Sequence, residues 1–120
     1  MRAVQQNVEA LSQEEGFGTV VLTNASGLPL ATSENRAEAE ALAAVVADML
    51  RSAEGIGDRL GWDVMSEIML LSQDAQRGVL CRRFTAGARD MVLALFIAPQ
   101  HAYWRATTRA IQQIQQVWSL

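Results

Sequence analysis

The chain reads as an α+β domain of the three-layer kind, an antiparallel sheet with helices on both faces. Hydrophobic periodicity switches along its 120 residues in the order helix, two strands, helix, three strands, helix. Within each group of strands the connections are short turns, which suit antiparallel neighbours. With 50% apolar residues, one domain over 1–120 can bury a core. No repeat, linker or low-complexity tract divides it.

Val4, Val8 and Leu11 recur at helical spacing among Gln and Glu, which predicts an amphipathic helix over residues 3–15, stopped by Gly16. Phe17 to Thr23 is apolar on both alternating faces and predicts an interior strand. In the stretch NASGLPLATS (24–33), Ala25-Ser26-Gly27 turns the chain into a second strand, Leu28 to Thr32. Pro29 cannot donate to a ladder, so this second strand belongs at a sheet edge.

Asn35 or Ser33 can cap a long helix from about Arg36 to Leu60. Leu42, Val46, Met49, Ala53, Ile56 and Leu60 form its expected sheet-facing stripe. Ala43, Ala47 and Leu50 widen the apolar arc on one flank, and Ala41 with Val45 on the other. That exceeds what one sheet contact needs and leaves room for a second helix alongside. Gly55, Gly57 and Gly61 punctuate the helix end, and Trp62 to Ser72 reads as a third strand, with Val64, Ile68 and Leu70 alternating against Met65, Met69 and Leu71. Asp74 to Gly78 is a turn, Val79 to Phe84 a strand, Thr85 to Ala88 a turn, and Met91 to Ala98 a fifth strand. This last strand is apolar on both faces and is expected at the centre. Pro99 ends it, and Trp104, Thr107, Ile111, Ile114 and Trp118 describe a closing helix from about Ala102.

The formal charge of -3 gives no basic footprint for nucleic acid or for an anionic membrane surface. The first residues, MRAVQQNVEALSQEEG, hold no apolar signal core, and no run is long and apolar enough to cross a bilayer. A single cysteine, Cys81, excludes an intramolecular disulfide framework and fits a reducing compartment, so a cytoplasmic, uninserted protein is expected. The sequon Asn24-Ala25-Ser26 matters only in a secreted protein.

Candidate chemistry is sparse. The only histidine, His101, sits at a strand-to-helix junction with no Gly-x-Ser-x-Gly elbow anywhere in the chain, so a cap or surface role is expected of it. Cys81 falls in mid-strand, where a buried, inert thiol is expected. One His and one Cys cannot make a zinc site, and the carboxylates are scattered; no catalytic residue, metal or cofactor is assigned. The segment GIGDRLG (55–61) resembles a phosphate loop only superficially, because it follows a helix and lacks Gly-Lys-Ser/Thr. Arg82-Arg83 and Arg105 with Arg109 are possible grips for an acidic partner. Glu40, Asp48, Arg51, Glu54 and Asp58 lie on the long helix away from its stripe, ordinary solvent patterning on its own.

The element order, together with GFGTVVLTNASGLPLATS near the start, resembles the roadblock family: an apolar strand, a turn of Asn/Asp type ending in Gly27, then Leu-Pro-Leu-Ala at 28–31. Asn24 stands where the family typically has Asp. The resemblance implies a five-stranded antiparallel sheet in the order 2-1-5-4-3, with the long helix on one face and the terminal helices on the other. It also implies a homodimer that joins two third strands into one sheet with the long helices side by side. Ala41, Ala43, Val45, Ala47, Leu50, Met65, Met69 and Leu71 are the interface candidates on that reading. A third strand apolar on both faces at an edge is an aggregation hazard that such a dimer removes. The family partners small Ras-like GTPases, which raises Glu40, Asp48, Arg51, Glu54 and Asp58 to candidate docking residues and leaves any turnover to the GTPase. Two other readings stand beside this one: a structural dimerisation or adaptor module, and a small-ligand sensory domain, which would need a polar-lined pocket.

Overall fold

The computed structural model describes residues 2–98 and 102–118. Its elements run α1 (Arg2–Ser12), β1 (Phe17–Asn24), β2 (Pro29–Thr32), α2 (Arg36–Leu60), β3 (Glu67–Leu71), β4 (Gly78–Ala86), β5 (Arg89–Ile97) and α3 (Trp104–Trp118). The strands form one antiparallel sheet in the order β2-β1-β5-β4-β3. The implied order is therefore the observed one. β1 and β5 are the interior strands, and Val20 to Leu22 and Met91 to Leu95 are fully buried because both their faces are covered.

One core lies between the sheet and α1 with α3, built from Val4, Val8, Leu11, Val20, Leu22, Leu80, Met91, Leu93, Leu95, Ile111 and Ile114. The other lies under α2, where Leu42, Ala43, Val46 and Met49 meet Val21, Cys81, Val92 and Ala94. Burial raises the Cys81 thiol to about 12, because its thiolate would be poorly solvated there. Its Sγ lies 3.9 Å from Met49 Sδ.

The NASG turn fastens the first hairpin to α2. Asn24 Oδ1 accepts from the N–H groups of Ser26 (2.9 Å) and Leu28 (3.0 Å). Gly27 adopts φ +89°, and a Cβ there would stand 2.7 Å from Ala47 Cβ and 2.9 Å from Ala47 Cα. Only glycine offers both the left-handed backbone and this closeness to a helix. At the other end of the hairpin Asn35 caps α2, its side chain accepting from Glu38 N at 3.1 Å. Glu38 in turn accepts from Thr19 Oγ1 at 2.7 Å, which ties the first turn of the helix to β1.

Several boundaries differ from expectation. The Ile56 and Leu60 end of the predicted α2 stripe is exposed, at 50% and 52%. At 1.5 Å per residue the helix is about 37 Å long, whereas β1 spans roughly 27 Å, so the last turns overhang the sheet. There Gly57 is buried instead, facing the carbonyls of Trp62 and Asp63. The helix ends in a Schellman closure, with Gly61 at φ +69° and Trp62 N donating to Gly57 O at 2.9 Å, so GIGDRLG is a stop.

The predicted third strand 62–72 shortens to Glu67–Leu71. Its first half cannot join the ladder, because the chain must first return from beneath the helix end; only the bond from Arg83 N to Ser66 O (2.7 Å) extends the pairing. The β4–β5 hairpin is longer than expected, pairing from Gly78 with Ile97 to Ala86 with Arg89 around Gly87 at φ +61°. Trp104, expected in the buried stripe of α3, is half-exposed. Pro99 and His101 lie outside the described residues.

Gly27→Ala is expected to cost about 2–3 kcal/mol in thermal or urea unfolding, since strain and a backbone clash combine. Gly55→Ala is expected to stabilise by roughly 0.5–1 kcal/mol, because its Cβ meets open space on an ordinary helical backbone; equal effects would contradict the placement of Gly27. Cys81 should resist a thiol reagent at pH 8 in the folded protein and react at once in denaturant. Fast labelling of the native chain would contradict its burial.

Candidate functional site

The sheet is covered unevenly. The hairpin Gly27 fills the Ala47 flank of α2, and at 100° per residue Val45 points nearly opposite to Ala47. Val45 (42% exposed) and Ile56 therefore face away from the hairpin. On the same layer Leu70 of β3, cross-strand from Val79, is 51% exposed; on the other layer Leu71 is 54% exposed. β3 pairs with β4 alone, so its outer backbone groups line a free edge flanked by apolar side chains.

The interface candidates separate on this geometry. Ala41 and Val45 are exposed, whereas Ala43 is buried in the chain's own core and Ala47 lies against Gly27. Leu50 is half-buried on the sheet-facing side of α2, against the chain's own core. Met69 is half-buried against the α1–α3 core, Leu71 is exposed at the edge, and Met65 lies on the coil before β3. Ile56 and Leu70 join the exposed apolar surface although neither was among the candidates. In the sequence both read as core positions, and only the overhang of α2 and the edge position of β3 expose them.

The charged candidates on α2 are all exposed. Glu40, Arg51 and Asp58 fall within about 20° of one another around the helix, and Asp48 and Glu54 flank them. Asp48 pairs with Arg51. Arg51, Glu54 and Asp58 border a groove of about 590 Å³ between the C-terminal half of α2, the Ala25-Ser26 turn, segment 62–65 and Arg83. Its floor is apolar, with Leu50, Ala53, Met65 and Ile68. Glu40 lies apart, on a shallow depression beside Ser26 to Pro29.

Arg82 and Arg83 point to opposite faces. Arg82 is 9% exposed on the α3 side, where Nη1 donates to Thr107 Oγ1 (2.9 Å) and Thr108 Oγ1 (2.7 Å) and the guanidinium stacks 3.7 Å from the centre of the Trp104 ring. Desolvation lowers its pKa. This arginine docks the chain's own helix and is not free to grip a partner. Arg109 is engaged with Glu14 at 2.9 Å. Arg83 lines the groove. Among the described residues no group of three metal-ligating side chains forms, and no helix is long and apolar enough to cross a membrane.

Comparison with known proteins places this architecture. A family model of the Roadblock/LC7 domain matches residues 3–81. A search of curated protein sequences gives no match. Among solved structures, the chain is similar to MglB of Myxococcus xanthus, with a TM-score of 0.76 at 11% identity over 98% of this chain and 88% of that one. A Roadblock/LC7 domain from Streptomyces avermitilis gives 0.75 at 16% identity, covering 94% of this chain and 92% of that one. The gliding protein MglB of Thermus thermophilus gives 0.68 at 17% identity, covering 98% and 87%. The order β2-β1-β5-β4-β3, the helix placement and the family match over most of the chain agree: this protein belongs to the Roadblock/LC7 domain family.

Proposed function

We propose that the chain is a homodimeric platform that binds a small Ras-like GTPase and regulates or positions it, supplying no active site of its own. The observation that carries this reading is the free β3 edge flanked by Leu70, Leu71, Val45 and Ile56. An unpaired edge with apolar neighbours on both layers is costly to leave in water. A second copy related by a two-fold axis would pair the edge with itself and bring the Val45–Ile56 sides of the two α2 helices together, which is a closed assembly. Ala41, Val45, Ile56, Leu70 and Leu71 are the contacts we assign to it, with Met69 behind them.

Family membership and the likeness to two MglB proteins support the GTPase part. The exposed row on α2, with Glu40, Asp48, Arg51, Glu54 and Asp58, is the polar surface such a dimer leaves for a partner. On this reading any hydrolysis would use the groups of the GTPase. An adaptor role without a GTPase is the other outcome of the tests below. The groove carries Arg51, Glu54, Asp58, Asp63 and Arg83 beside its apolar residues, so a small-ligand sensory role is a further outcome that ligand-induced thermal shifts would reveal.

Light scattering should give about twice the 13.1 kDa chain mass, and Leu70→Lys should give a single chain with unchanged circular dichroism. A variant that stays dimeric would place the interface elsewhere. A pull-down in GDP and in a non-hydrolysable GTP analogue should enrich one small GTPase, and charge reversal at both Asp48 and Arg51 should weaken its binding about tenfold without changing the dimer mass. Retention of partners that are not GTPases, in both nucleotides, would support the adaptor role instead.

A further inference from the structure

We propose that the groove beneath the C-terminal half of α2 is a docking site for an extended, arginine- or lysine-bearing peptide segment of a partner protein. This site is separate from the β3–β3 contact and does not depend on the partner being a GTPase.

Segment 62–65 supplies the first half of the argument. It runs as coil and belongs to no ladder. Trp62 N is spent on the helix closure, Val64 N on the Asp63 carboxylate, and the next cross-strand bond is at Ser66. Between these points Asp63, Val64 and Met65 form no backbone–backbone hydrogen bond; the Asp63 carbonyl faces Gly57 under α2, and the Val64 and Met65 carbonyls with the Met65 N–H remain for a partner. An extended peptide laid along the segment can take up those groups as an added strand, the mode in which main-chain bonds give affinity and side-chain pockets give selectivity. Trp62 and Val64, both 63% exposed, offer it apolar contact.

Charge supplies the other half. Glu54, Asp58 and Asp63 stand around the groove, and none of them forms an ion pair among the described residues. Of the two cations at the groove, Arg51 is paired with Asp48 outside it, which leaves Arg83 alone against three carboxylates. The site therefore favours cationic side chains, and the exposed Trp62 ring adds a face on which an arginine can stack. The Leu50, Ala53, Met65 and Ile68 floor accepts the apolar residues that alternate with them.

Fluorescence anisotropy of the 120-residue chain with two labelled peptides tests this: one alternating arginine with leucine or valine, the other with glutamate in place of every arginine. The arginine peptide should bind and weaken steeply with salt, and the glutamate peptide should bind at least about tenfold more weakly. The double variant Glu54→Lys with Asp58→Lys should reverse that preference, while Glu40→Lys, outside the groove, should leave it unchanged. Both changes lie on the exposed face of α2, and circular dichroism checks the fold. Equal binding of both peptides, no binding of the arginine peptide, or an unchanged preference in the double variant would overturn the proposal. Binding seen only with Leu70→Lys would also overturn it, since the second copy would then occupy the groove. The assay contains no GTPase, so its failure leaves the platform reading standing, and failure of that reading leaves this one.

Discussion

A sheet cannot pair its own last edge, and in this fold the last edge is β3. The opposite edge is blunted: β2 is four residues long, begins with Pro29, and receives the Gln5 side chain of α1 on its Thr32 carbonyl. β3 has no such protection, and the helix that could shelter it is held elsewhere. Asn35, Glu38 and Thr19 fix the start of α2 over β1, and the Gly27–Ala47 contact draws its middle toward the hairpin. What remains is an edge with half-exposed leucines on both layers. The length of α2 carries its far end past the sheet, and the groove opens there above segment 62–65.

The sequence carried the architecture well because the fold rests on local signals. Gly27, Asn35, Gly61 and Gly87 sit at turns and caps whose geometry follows from residue type, and the α2 limits Arg36–Leu60 could be read from them. The interior strands were visible as runs apolar on both faces. The third strand was misjudged in length because Val64 and Met65 alternate like strand residues, while the closure at Gly57 and Trp62 forces that segment to run as coil. Periodicity reports which side chains could face a sheet and is silent on how far the sheet extends.

The site was less legible for the same reason. On a helical wheel Ala43 and Val45 both sit beside the main stripe, and no sequence rule says which flank the hairpin will claim. Ala43 and Ala47 went to the chain's own packing; Val45 remained outside. Arg82 and Arg83 look alike in sequence but point to opposite layers, one sealed against Trp104 and the other lining the groove. A charged residue in a strand acquires its role from the face it lands on, and that depends on a register set by distant turns.

The central claim is that β3 is an edge only in the isolated chain. Residue-resolved amide hydrogen exchange along Glu67–Leu71, followed as the protein is diluted, tests it directly. The account predicts that the amides turned away from β4 are protected at high concentration and become labile as the chains separate. Exchange of those amides as fast as that of segment 62–65 at every concentration would show that no second copy pairs with the edge.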